Sequence, residues 1–328
     1  MSSDDALRPE WLAFEKDLGF RPKLHGPTYE DILQQAQANG PRMLEVLTFP
    51  KPDTTLTTAW HETASGVRLK SYIPPTYRPD RPLIYYIHGG GFVLGSVAQD
   101  DSKVTPLCTA TGCVFVSVEY RLAPQHPFPA GFQDCVEGAA WCLENAERLG
   151  ARKGPIILMG KSAGGAFALG TALKWIDEGR GQGVLGVVAC QPVTVHPTAV
   201  PERLRERYTA HEENAENTTN TRDAMRAFYR LHNAPLDDPY VWPLLHSNLK
   251  ALPRVYLNAC GADTLRDDAR LLQEVLQQTG VPNRFDEFAG LPHYFFAFPS
   301  HHTTQLREDY YSRTAKGIEW VIDGVSKG

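Results

Sequence analysis

The chain has 328 residues, 42% hydrophobic, 10% aromatic and 22% charged, a globular composition that excludes wholesale disorder and low-complexity fibres. Its formal charge is −5, from 33 Lys plus Arg and 38 Asp plus Glu, with no basic block, so neither nucleic acid nor an anionic membrane is expected as a partner. The length allows two domains, but α/β folds of this size often surround one sheet, and no repeat or Gly/Ser linker divides the chain.

The opening Met1, Ser2, Ser3, Asp4, Asp5 is acidic and lacks an apolar run, so no secretory signal is expected. No stretch nears the roughly 18 apolar residues of a membrane span. The cysteines at 108, 113, 135, 142, 190 and 260 show neither C-x-x-C nor zinc spacing, and several lie in apolar runs, as buried free thiols do. A cytoplasmic, reducing location is expected.

In chain order, the first forty-odd residues read as amphipathic helices. Trp11, Leu12, Phe14 and Leu18 lie on the first, Ile32 and Leu33 on the second, which Thr28 and Asp31 would open as a capping box. A hairpin is predicted over 56–73, turning at Ser65-Gly66. Apolar strand-length runs then alternate with helices: strands at 83–87, 114–118, 156–159, 185–189, 255–257 and 284–288, helices near 132–149, 163–178, 265–278 and 303–322. Continuous apolar strands separated by helices imply a mostly parallel sheet covered on both faces. The expected class is α/β, doubly wound. The residues between 189 and 255 exceed what a crossover needs, and are expected to form a helical, partly mobile insertion.

Gly160-Lys161-Ser162-Ala163-Gly164 follows a strand and precedes a helix, the context in which G-x-S-x-G exposes a serine hydroxyl on a sharp turn at a helix N-terminus. A phosphate-binding loop is excluded, because Pro155 stands where its first glycine would be needed. After the strand at 83–87 comes His88-Gly89-Gly90-Gly91-Phe92, whose glycines let backbone amides approach a ligand. Gly90, Gly91 and Ala163 would together supply an oxyanion hole, with His88 bracing the loop. A serine nucleophile also needs a base and an orienting carboxylate, in the chain order Ser, Asp or Glu, His. Asp263 and His293 both lie just past strand ends, the edge where open α/β sheets place their sites. The rivals Asp267 and Asp268 fall inside a helix and are expected to cap or solvate it. The pair Asp100-Asp101 is expected to supply charge at a helix N-terminus. His301-His302 has no third metal ligand at a suitable spacing. Phe228, Tyr240 and Trp242 are candidates for the acyl pocket or for ordinary core.

With Tyr120-Arg121-Leu122-Ala123-Pro124 and His126-Pro127-Phe128-Pro129-Ala130 added to these motifs, the chain from about 60 to 325 resembles the hormone-sensitive lipase family of α/β-hydrolases, also called bacterial family IV esterases. The resemblance implies an α/β-hydrolase fold in a single domain spanning 1–328, with a helical cap formed by about 1–50 and 195–245. It implies a catalytic triad of Ser162, Asp263 and His293, and a carboxylesterase cleaving small to medium acyl esters through an acyl-enzyme. No metal or organic cofactor is implied. Phe92, Lys161, Tyr294 and Tyr240 are the candidates for contacts with substrate. The expected partner is a small-molecule ester, and a homodimer is left open.

The sequence departs from the family pattern at Lys161, where aspartate is usual, at Gln125 for glutamate, at Thr264 for proline and at Tyr294 for glycine. None removes a reacting group, so they bear on substrate choice. Lys161 either places a cation beside the triad or points into solvent or a surface ion pair, and the rarity of buried lysine favours the second. The same triad could serve acyl transfer, lactone opening, polyketide release or dehydration. A ligand-binding receptor on this scaffold is the non-enzymatic alternative, and the presence of His293, which such receptors lack, counts against it.

Overall fold

The computed structural model of the protein describes residues 7–324, except 25, 27, 52 and 218. The predicted hairpin is formed by β1 (Thr57–Glu62) and β2 (Arg68–Ile73), paired antiparallel. β3 (Ile84–Ile87), β4 (Phe115–Glu119), β5 (Ile156–Lys161), β6 (Val184–Cys190), β7 (Arg254–Cys260) and β8 (Asn283–Phe288) complete an eight-stranded sheet. Its order is β8-β7-β6-β5-β3-β4-β2-β1, parallel throughout except where β2 meets β1 and β4.

Strand periodicity divides the core between the two faces. Tyr85, Ile87, Val116, Val118, Ile156 and Leu158 join one cluster. It is completed by α4 (Ala130–Asn145), α5 (Ala163–Asp177) and α7 (Arg266–Gln278). Their neighbours Ile84, Tyr86, Phe115, Ile157 and Met159 join the other, under α3 (Val97–Thr111) and α8 (Thr304–Asp323). β5 lies between β3 and β6, so both its edges are paired, and with helices on both faces of the sheet all six of its residues are buried.

The N-terminal helices are α1 (Pro9–Leu18) and α2 (Tyr29–Val46), the second opened by the expected capping box: the Thr28 hydroxyl accepts from the Asp31 amide at 3.1 Å and the Asp31 carboxylate from the Thr28 amide at 3.1 Å. The long insertion holds only short helices before α6 (Arg222–His232). Just ahead of α6, Thr219 and Asn220 pair in parallel with Lys23 and Leu24, which joins the insertion to the N-terminal segment. Among the described residues no helix is long and apolar enough to cross a membrane.

Candidate active site

Ser162 stands between β5 and α5 with φ 53° and ψ −122°, a strained conformation costing about 1–3 kcal/mol for a residue with a Cβ. Small neighbours make the turn sterically feasible: a Cβ on Gly160 would stand 2.0 Å from the Gly164 carbonyl, and one on Gly164 would stand 2.2 Å from that of Ile87. The turn delivers Ala163 as the first residue of α5, where unpaired amides and the helix dipole favour negative charge. Across from it, Gly90 and Gly91 follow β3 with φ of 125° and 63°. Among the described residues, none of the Gly90, Gly91 and Ala163 amides donates to a protein acceptor. His88 lies beneath this loop, its Nδ1 2.8 Å from the Gly89 carbonyl and its ring stacked on Tyr120 at 4.2 Å.

Asp263 and His293 meet where the ends of β7 and β8 converge, with Nδ1 2.6 Å from Oδ2 and both side chains buried. An ionised Asp263 fixes the proton on Nδ1, which leaves Nε2 as the basic nitrogen. The other carboxylate oxygen accepts from Asn220 Nδ2 and from the Leu265 amide, each at 3.0 Å. The insertion also holds the loop's backbone: Asn214 donates to the Asp263 carbonyl at 3.0 Å and Asn217 to that of Ala262 at 3.1 Å. None of these asparagines is among the site residues expected from sequence; all lie in the insertion expected to be helical and partly mobile. The signal was there in the repeated asparagine, a residue able to bind backbone groups at both ends of its amide.

Ser162 and His293 line one cavity of about 140 Å³, with Gly90, Leu24, Met225 and Phe228 around them. The segment from 84 to 297 matches the family model described as alpha/beta hydrolase fold. The chain belongs to the α/β-hydrolase family. Over 311 residues it is 40% identical to the versiconal hemiacetal acetate esterase of Aspergillus parasiticus, covering 95% of this chain and 97% of that protein. Among solved structures, vibralactone cyclase superposes with a TM-score of 0.84 at 24% identity, covering 99% of this chain and 97% of that one. Brefeldin A esterase, a bacterial homologue of human hormone-sensitive lipase, superposes at 0.79 with 23% identity, covering 97% and 94%. At those identities the two structures speak for the fold alone.

On this α/β-hydrolase frame the expected substrate contacts divide. Tyr294 lines the cavity, its hydroxyl against Gly89, and Phe228 lines it too. Phe92 does not: it turns under the loop and stacks on His232 at 4.1 Å, buried. Tyr240 also lies elsewhere, donating its hydroxyl to Asp177 at 2.9 Å, and Trp242 packs edge-on against Tyr229. Lys161 reaches neither the cavity nor solvent. It is fully buried on the α3 and α8 side of the sheet, which corrects both readings of this residue.

Nor are Asp267 and Asp268 solvated caps. Asp267 accepts from the Thr209 and Ala210 amides at 2.8 and 2.7 Å. Asp268 accepts from the Thr194 amide at 2.7 Å and the Tyr208 hydroxyl at 3.0 Å, and burial pushes its pKa up to about 7. The two anchor the insertion to α7. Far along the chain, His302 finds Asp17 of α1 at 2.9 Å, with His301 3.7 Å from the same oxygen, a grouping that sequence spacing could not show.

The Asn220 contact yields a measurable consequence. Asn220→Ala removes one of two donors to the outer oxygen of Asp263, so kcat should fall roughly tenfold, with KM for a small ester little changed. Steady-state kinetics on p-nitrophenyl acetate check this, and an unaltered kcat would mean that the Leu265 amide alone holds the carboxylate.

Proposed function

We propose that the chain is a serine carboxylesterase that hydrolyses small-molecule esters with short acyl groups, acetate foremost. The observation that carries this reading is the cavity where Ser162 and His293 stand together, with Asp263 behind the imidazole and three uncommitted amides opposite. In the reaction, His293 Nε2 takes the Ser162 proton as Oγ attacks the acyl carbonyl. The Gly90, Gly91 and Ala163 amides donate to the oxyanion that forms. The imidazolium, stabilised by Asp263, returns its proton to the departing alkoxide, leaving an acyl-serine. A water deprotonated by His293 then attacks this ester, and Ser162 leaves with the proton as the acid is released.

Two supports favour short acyl groups. The cavity beside Ser162 is small, about 140 Å³, and is walled by Leu24, Met225 and Phe228. The Aspergillus relative is named for an acetate ester. The cap is assigned to about 1–50 and 195–245, supported by Leu24, Thr219, Met225 and Phe228 in the cavity wall and by the pairing of Lys23–Leu24 with Thr219–Asn220. A cytoplasmic location is supported by six cysteines, all free and buried.

A ladder of p-nitrophenyl esters tests the proposal. Acetate and butyrate should exceed palmitate in kcat/KM by at least a hundredfold, since a cavity of about 140 Å³ walled by Phe228 and Met225 suits a short acyl group better than a long chain. Preference for palmitate would reassign the protein as a lipase with an opening lid, and absence of turnover on every rung would remove the esterase reading.

A further inference from the structure

Lys161 stands immediately before Ser162, and strand alternation carries its side chain to the face of Ile157 and Met159, away from the cavity. Its ammonium is fully buried and, among the described residues, has no hydrogen-bond partner. Three aromatic rings take the place of one: Nζ lies 4.7 Å from the ring centroid of Phe296, 5.5 Å from Tyr86 and 5.7 Å from Tyr310. Phe296 and Tyr310 stack flat at 3.8 Å, forming one wall of this box. An aromatic face attracts a cation most strongly where water is excluded, as here.

The box connects the parts of the site. Phe296 lies three residues past His293, with Tyr294 packed between them at 4.9 Å from the imidazole and 5.2 Å from Phe296. Tyr86 carries the connection to the cavity wall, its hydroxyl donating to Asp100 at 2.5 Å. Asp100 in turn accepts from Lys103 at 2.5 Å, and both residues line the cavity. We propose that Lys161 is a positioning residue: its ammonium, boxed by Tyr86, Phe296 and Tyr310, fastens the strand that ends in Ser162 to the segment that carries His293 and to the charged wall of the cavity. The proposal rests on the esterase reading above and assigns a role to the sharpest departure from the family motif.

The box is costly to keep charged. Burial lowers the Lys161 pKa to about 8, against the opposing pull of Asp100. The other titratable groups facing it are Tyr86 from β3, Asp100 and Lys103 from α3, Cys190 from β6 and Tyr310 from α8. Burial holds the two phenols well above their ordinary range and pushes the Cys190 thiol up to about 11, while Lys103, Lys161 and His88 help hold Asp100 low. Lys161 is therefore the group expected to change charge between pH 7 and 9. Because its folded pKa lies below its unfolded value, the unfolded chain binds more protons between the two, and this residue's contribution to stability rises with pH across that window. Its contribution to positioning is lost as pH rises through about 8, the lower edge of that window. Stability and activity should move in opposite directions, whereas a residue of purely structural value would move them together.

The test is kcat/KM on α-naphthyl acetate from pH 6.5 to 10, with Tm, for the native protein, Lys161→Met and Lys161→Arg. The native protein should lose about tenfold between pH 7 and 9, approaching the value of Lys161→Met. Lys161→Met should be flat over that range, low at pH 7, and no less stable than the native protein. Lys161→Arg, which stays charged, should show no alkaline fall near 8. Native activity in Lys161→Met with the same alkaline fall would overturn the proposal, and so would parallel losses of Tm and activity. If neither variant folds, the native protein decides, because constant kcat/KM through pH 10 excludes the role. Failure of the esterase reading is distinct, since the native protein would then show no turnover at any pH.

Discussion

Ser162→Ala is expected to lower kcat/KM on p-nitrophenyl acetate by 10⁴-fold or more, the cost of removing a triad nucleophile. The fold should tolerate it. Alanine occupies the strained turn no worse than serine, and the serine backbone, not its hydroxyl, makes the elbow's hydrogen bonds: its amide donates to the Cys190 carbonyl at 2.9 Å and its carbonyl accepts from Gly165 at 2.9 Å. Tm should therefore shift by no more than a few degrees. The oxyanion amides remain in the variant, so a residual rate above the uncatalysed one is expected. Turnover within tenfold of the native protein would remove Ser162 from the reaction.

The second large effect separates three neighbouring carboxylates. Asp263→Asn should reduce kcat by about 10³–10⁴, because a neutral amide neither stabilises the imidazolium nor holds the proton on Nδ1 of His293. Asp267→Asn and Asp268→Asn should leave kcat within a few-fold of native and act on stability instead, since their partners are the amides of Thr209, Ala210 and Thr194. The three variants can be ranked by single-turnover kinetics beside thermal melts. Severe loss of kcat in Asp267→Asn with an intact Tm would mean that the carboxylate behind His293 has been wrongly assigned.

Much of the site was legible in the sequence because steric rules for short segments place it there. A serine between glycines after an apolar run fits a tight strand-to-helix turn, and three glycines after the neighbouring strand let the backbone approach a ligand. Even the burial of Lys161 was implied. It continues the alternation of Ile157 and Met159 on a central strand whose two faces are both covered, so the prior against buried lysine should have yielded to position.

What the sequence by itself determined were the α/β layering, the elbow, the glycine loop and the strand-end positions of Asp263 and His293, all consequences of periodicity and backbone sterics within a few residues. Only the tertiary structure decided the rest. It turned Phe92 under the loop onto His232, 140 residues away in sequence, and sent Tyr240 to Asp177. It brought Asn220 to Asp263 across 43 residues and Asp17 to His302 across 285. The aromatic box around Lys161 draws its rings from three separate elements, and no spacing rule links them. Contacts of this kind follow from how covered faces pack once the sheet has formed, where close packing leaves each buried polar group only the partners that distant segments bring.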